Sequence, residues 1–224
     1  MARSKIAMVH CANSLPIDPQ APEPEHIKKA VEICHQGGVI AYPTETVYGI
    51  GGDPLCLDVL ERIDQLKGRG PEKTFLLLVS SRIQWSAYVE SIPPFAIPLI
   101  KKFWPGPLTL IFPASRTLPF RLIGEKGTIG LRESPDPICQ ALVALFGKPL
   151  ISTSANPSGK PPARSAREVM EYFPQGLDLI LDGGERRAFQ PSTVLDVSQD
   201  RPVLIRTGPI DKTAIEQIIG PIDG

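Results

Sequence analysis

Histidine is scarce in this chain of 224 residues: His10, His26 and His35 all fall among the first 35 positions, none in a recognisable catalytic setting. That pattern argues against a Ser-His-Asp apparatus and against a histidine-built metal hydrolase. Cysteine is almost as rare. Cys11, Cys34, Cys56 and Cys139 stand far apart, with no C-x-x-C pair and no neighbouring histidine to complete a zinc motif, so they read as reduced, mostly buried thiols. Neither G-x-x-x-x-G-K-[ST] nor G-x-G-x-x-G occurs, so any nucleotide phosphates would have to be met by side-chain cations rather than by a glycine-rich loop. No apolar run approaches the roughly 18 to 20 residues of a membrane span, and the N-terminus, with Arg3 and Lys5, lacks the apolar stretch of a signal peptide. A cytoplasmic protein with no membrane partner is expected. Charge of one sign is also lacking in excess: 24 Lys plus Arg balance 24 Asp plus Glu, so a basic site must be local rather than a property of the whole surface.

What is present is enough apolar material, 42% of residues, to bury one sizeable core. Residues 5–10 form a strand candidate. Residues 15–24 hold four prolines and no apolar period, which reads as an extended linker or arm. Helical spacing of Ile27, Ala30, Val31 and Cys34 predicts a helix over 25–36, closed by Gly37-Gly38 and followed by a strand over 39–42. A second helix is predicted over 57–67 from the stripe Leu57, Leu60, Ile63 and Leu66, with Gly68 suited to a left-handed cap. Strands follow at 75–79, 108–112, 128–132, 149–152, 178–181, 193–197 and 203–206, and helices at 137–146, 165–173 and 212–219. The imperfect alternation predicts a mixed α/β architecture rather than a clean doubly wound sheet. Residues 1–24 are taken as an N-terminal strand and arm, 25–210 as the main domain, and 211–224 as a C-terminal helix and tail.

Two segments point to chemistry. Lys67-Gly68-Arg69 ends a helix with a cation on either side of a glycine, and Ser152-Thr153-Ser154-Ala155-Asn156 follows an apolar strand with clustered hydroxyls and an amide. Together with Lys73 they describe a polyanion site suited to phosphate. Cations at a helix C-terminus also serve simply to complement its dipole, worth about 0.3 to 1 kcal/mol, and the serines and Asn156 also suit ordinary turn capping. The polar Thr44-Glu45-Thr46 between a strand end and a glycine-rich turn reads as the rim of a site. Phe103-Trp104-Pro105-Gly106-Pro107 reads as a packing corner rather than a base-stacking platform, and Arg186 and Arg187 as residues of a solvated loop.

The ordered set YPTETVYGIG, LKGR, FWPGPLTLIF, TIGLR, STSANPSGKPP, LDGG, PSTVLD and VLIRTGPI resembles the YrdC/TsaC family of threonylcarbamoyl-AMP synthases over about residues 25–210. The resemblance implies an open, twisted mixed sheet flanked by helices with a concave basic cavity. The implied reaction converts L-threonine, bicarbonate and ATP, with Mg²⁺, into threonylcarbamoyl-AMP and pyrophosphate. The product would feed modification of the adenosine beside the anticodon in tRNAs reading A-starting codons, through a downstream threonylcarbamoyl-transferase complex. By motif position the resemblance implies Lys67, Arg69 and Asn156 as catalytic residues. It implies Arg69, Lys73, Thr128, Ser152, Pro162 and Arg206 around ATP, and Thr46, Arg132, Ser154 and Ser192 around threonine. Arg132 suits a carboxylate through its bidentate fork. No direct protein ligand to a metal is expected.

Departures from the family pattern are also legible. Gly70 and Thr74 stand where many members carry prolines, and Leu78 takes the position of a histidine that helps hold threonine in one branch. The KTF-LLLV stretch is similar to the YciO-like paralogues, and the chain end at Gly224 suggests the short single-domain form. Two rival readings follow: a nucleotide- or RNA-binding module without synthase chemistry, and a carbamoyl-transfer or hydrolytic enzyme acting on a related adenylate.

Overall fold

The computed structural model describes residues 13–70, 75–80, 82–123, 126–187 and 190–224. The strand expected over 5–10, Cys11, Lys73 and Thr74 lie outside them. The described elements run β1 (Asn13–Pro16), α1 (Pro24–His35), β2 (Ile40–Pro43), β3 (Tyr48–Gly51), α2 (Leu57–Lys67), β4 (Leu76–Val79) and α3 (Arg82–Trp85). A short 3₁₀ turn (Ser86–Tyr88) leads to α4 (Ala96–Phe103), β5 (Leu108–Pro113), α5 (Phe120–Ile123), β6 (Thr128–Glu133), α6 (Pro137–Phe146), β7 (Leu150–Ile151) and β8 (Thr153–Ser154). The chain continues through α7 (Ala166–Tyr172), β9 (Leu179–Asp182), β10 (Thr193–Asp196), β11 (Val203–Arg206) and α8 (Lys212–Ile219).

The expected mixed α/β architecture is present, divided into two mixed sheets ordered β1-β9-β2-β3-β8 and β11-β10-β5-β6-β4-β7. The division falls within the strand expected over 149–152. Ile151 pairs with Leu77 in one sheet, Thr153 pairs with Ile50 in the other, and Ser152 lies between them. The sheets meet at a close backbone approach, where Ile151 N donates to Gly52 O at 3.0 Å. A Cβ on Gly51 would stand 1.7 Å from the Ile151 carbonyl oxygen, so only glycine fits there.

Alternation explains why β2 is buried throughout. Val39 and Ala41 enter the larger apolar cluster, while Ile40 and Tyr42 enter a second one beneath α1 and α6. Helix α1 contributes Ile27, Ala30, Val31 and Cys34 to that second cluster, matching its sequence stripe. Helix α6 starts where Asp136 accepts a hydrogen bond from Ile138 N, with Pro137 in the first turn, and stops at Gly147 with φ 74°.

The arm over 15–24 is in part a strand. Asn13–Pro16 pairs in parallel with β9, because Leu15 and Ile17 at period two reach the second cluster and proline is tolerated on an edge strand. The aromatic corner packs as expected: Trp104 is buried, donates from Nε1 to Leu108 O at 2.7 Å and meets Trp85 edge-on at 5.8 Å. Cys34 and Cys139 are buried and Cys56 is half-buried, all three free.

Candidate active site

Strand register brings the cavity into being. On one face of the larger sheet, Arg206, Val194 and Thr109 form a row across β11, β10 and β5. Ile111, Gly130 and Leu76 form a second row across β5, β6 and β4. The smaller sheet supplies Tyr48, Gly49 and Ser154, and the connecting segments supply Thr46, Arg69, Ser152 and Ser192. These residues enclose about 270 Å³. Among the described residues, three arginines, Arg69, Arg132 and Arg206, line this space and no carboxylate does. Gly130, with no side chain, keeps the floor low between Thr109 and Leu76.

Helix α2 aims the first cation. Its buried face is Val59, Leu60 and Ile63 with Asp64 and Lys67; the expected stripe is rotated, and Leu57 is 52% exposed. The rotation follows from the last turn, whose polar side chains are buried because each finds partners. Gly68 caps the helix with φ 59°. The expectation that Lys67 and Arg69 leave the helix end together is not met. Lys67 turns inward, its Nζ donating to Ser154 O at 2.5 Å and Asn156 O at 2.9 Å, while its own carbonyl accepts from Ser158 N at 2.8 Å. Burial, and secondarily the charge of Arg69, bring its pKa down to about 7. A neutral amine still has two protons for the two carbonyls, so Lys67 is built as a clamp on the Ser154–Asn156 turn. Arg69 goes the other way and lines the cavity. Its Nε bonds Asp64 Oδ1 at 2.7 Å, and its guanidinium lies 4.5 Å from the Phe75 ring centroid. Arg121 of α5 ion-pairs with the other Asp64 oxygen and lies over the same ring at 5.5 Å.

Arg132, near the end of β6, is 5% exposed. Its Nη1 donates to Glu45 Oε1 at 2.9 Å and to Thr46 Oγ1 at 3.2 Å, and its Nε is buried without a hydrogen-bond partner. Leu78 is its register partner on β4 and is buried in the second cluster, so the position in question carries only apolar contact. On the opposite wall Arg206 donates from Nε and Nη2 to Ser192 O, at 3.0 and 2.9 Å, and from Nη2 to Ser192 Oγ at 3.2 Å. Ser192 Oγ also lies 2.9 Å from Thr109 Oγ1. Burial, then the charge of Arg132, lower the pKa of Arg206 from its ordinary value, which reports cations facing one another.

Of the residues singled out in sequence, Thr46, Arg69, Arg132, Ser152, Ser154, Ser192 and Arg206 line one cavity. Lys67 and Asn156 stand behind it. Asn156 Nδ2 donates to Pro157 O at 3.0 Å and Lys160 O at 2.7 Å, holding the turn. Thr128 is buried on the same strand face as Gly130 and Arg132, two residues further along than the lining. Pro162 lines a neighbouring depression with Tyr172 and Arg164, and Val47 borders both spaces. Arg186 is not in solvent, because Asp136 takes its Nη1 at 3.1 Å and Gly183 O accepts from its Nη2. Burial pushes the Asp136 carboxyl up, and Arg186 opposes that shift. Sequence reasoning missed Thr109 and Ser134, which carry no motif of their own, and Glu45 was legible only as rim.

Comparison with known proteins follows the same lines. The Sua5/YciO/YrdC family model, described as "Telomere recombination", matches residues 32–208. The threonylcarbamoyl-AMP synthase of Pyrococcus abyssi is 38% identical over 196 residues, 88% of this chain and 58% of that protein. The chain therefore spans less than two thirds of that relative. The threonylcarbamoyl-AMP synthase of Halorhodospira halophila is 36% identical over 80% of this chain and 93% of its own length. The crystal structure of P. abyssi Sua5 complexed with L-threonine aligns with a TM-score of 0.89 at 36% identity, covering 94% of this chain and 62% of that one. E. coli YciO aligns with a TM-score of 0.84 at 33% identity, covering 91% and 99%. By family model, identity and fold alike, the chain belongs to the Sua5/YciO/YrdC family.

Proposed function

We propose that this protein is an L-threonylcarbamoyladenylate synthase, forming threonylcarbamoyl-AMP and pyrophosphate from L-threonine, bicarbonate and ATP. The observation that carries this reading is the cavity lined, among the described residues, by three arginines and several hydroxyls with no carboxylate. The reaction brings an anionic carbamate against a triphosphate, and such an approach needs positioning and fixed positive charge more than a protein nucleophile. The threonine amine adds to bicarbonate with loss of water to give the N-carboxylate, an oxygen of that new carbamate attacks the α-phosphorus, and the bond from that phosphorus to the β-bridging oxygen breaks to release pyrophosphate. Arg69 and Arg206 flank the phosphates in this reading, with Lys73, Thr128, Ser152 and the backbone at Pro162 on the nucleotide. Arg132, Thr46, Ser154 and Ser192 hold threonine. Lys67 and Asn156 act through the turn they hold.

Mg²⁺ belongs with the ATP. Among the described residues the cavity offers it no carboxylate, and no cluster of three or more His, Cys, Asp or Glu side chains could ligate it. The protein donors thus do not fit a resident metal, and no step here is routed through one. A tRNA-modifying pathway with a downstream transferase complex, contact with tRNA and a cytoplasmic location complete the proposal; among the described residues no helix is long and apolar enough to cross a membrane. The deciding experiment is mass-spectrometric detection of threonylcarbamoyl-AMP with pyrophosphate release, omitting each substrate in turn. Product that requires all three substrates is expected; ATP binding without product under complete conditions overturns the assignment.

A further inference from the structure

Glu45 does not line the cavity, yet it takes the guanidinium that does. Both protons of Arg132 Nη1 are committed, one to Glu45 Oε1 at 2.9 Å and one to Thr46 Oγ1 at 3.2 Å. What Arg132 has left is its Nε and Nη2 edge, and Nε is buried with no partner, a donor for which an incoming acceptor is the natural complement. Glu45 is itself fixed from behind. Asp136 N donates to Ser134 Oγ at 3.2 Å, which directs the Ser134 proton onto Glu45 Oε2 at 2.5 Å. Asp136 is held in turn by Arg186. The consequences reach Thr46. Its Oγ1 accepts from Arg132 Nη1 and lies 2.9 Å from Thr44 Oγ1, which is itself held by Val47 O and by the backbone N–H groups of Thr46 and Val47.

We infer that Glu45 is a positioning residue, supported by Ser134, that turns the Nε and Nη2 edge of Arg132 into the cavity. It thereby presents a two-pronged donor to a carboxylate in the amino-acid subsite. This rests on the synthase reading above and extends it to a residue outside the cavity wall.

The test compares wild type, Glu45→Ala, Glu45→Gln and Ser134→Ala in threonylcarbamoyl-AMP formation, with KM measured separately for L-threonine and ATP. Losing hydrogen bonds to a charged group should raise the threonine KM of Glu45→Ala about tenfold to a hundredfold, with the ATP KM within about twofold. Glu45→Gln, which keeps an acceptor for Arg132, should recover most of the loss, and Ser134→Ala should show a smaller shift of the same kind. An unchanged threonine KM, or equal rises for both substrates, overturns the inference. Calorimetric titration of L-threonine into wild type and Glu45→Ala separates this outcome from failure of the synthase reading. If wild type makes no product but binds threonine more tightly than Glu45→Ala, only the reaction assignment fails; if wild type binds no threonine, both fail.

Discussion

The two walls of the cavity hold their arginines by opposite means. Arg132 is almost fully buried and has a carboxylate behind it, whereas Arg206 sits on the exposed edge strand β11 and rests on the carbonyl and hydroxyl of Ser192. Among the described residues Arg206 has no carboxylate partner within ion-pair distance. A buried charge without a counter-charge costs several kcal/mol, while one that reaches water is screened. The interior wall is therefore pre-set and nearly neutral. The outer wall holds its cation on neutral acceptors instead. Arg69 shares Asp64 with Arg121.

Substitutions can break this comparison. The largest effect is expected for Arg69→Ala, where losing the cation that the proposed function puts at the phosphates should cut ATP-dependent turnover by about 100-fold or more while far-UV circular dichroism stays unchanged; near-normal turnover would remove Arg69 from the reaction. Next comes stability on the buried wall. Arg132→Ala leaves Glu45 without its cation and should lower the unfolding free energy in urea by about 3 kcal/mol. The Arg132→Ala/Glu45→Ala double variant should regain part of that loss, since no orphan charge remains. If the double variant is worse than the sum of the singles, the pair is not the stabilising unit. Arg206→Ala should be milder in fold, at most about 1 kcal/mol, yet raise the ATP KM by about tenfold, and Arg206→Lys should restore part of it. Equal destabilisation of the Arg132 and Arg206 variants would erase the contrast between the walls.

The smallest expected effect concerns pH. Lys67 titrates near 7 when folded, below the ordinary lysine value, so between about 7 and 10.5 the unfolded chain binds more protons. Its contribution therefore disfavours folding below about pH 7 and fades as pH rises toward 10.5. Lys67→Met should flatten that part of the stability profile, as measured by urea midpoints across the range; an identical slope in wild type and variant would show that Lys67 remains charged throughout.

Much of this was legible beforehand where one local rule dominates. Helices α2, α6 and α8 start and stop at the expected residues, because their apolar period runs between a cap and a left-handed or polar stop. Helix α4 went unread. Its span, Ala96–Phe103, contains Pro98 and so looks like a breaker sequence, yet it buries Ala96 and Leu99 and packs beside α8. The rotated face of α2 was unreadable for another reason: hydrophobicity counts Asp64 and Lys67 as surface, and only their partners on other segments make them interior.

The ordered motifs by themselves determined the family, the mixed α/β class and most of the residues that converge on the cavity, because each motif keeps its turn chemistry in any context. Tertiary structure alone decided which cations face the ligand space. Whether Lys67, Arg69, Arg132 or Arg186 points inward or outward depends on which carbonyl or carboxylate, 50 to 90 positions away in the cases of Lys67, Arg132 and Arg186, is brought within hydrogen-bond reach. That distance in sequence carries no local signal, and the strand register that closes it is set by burial of both sheets at once.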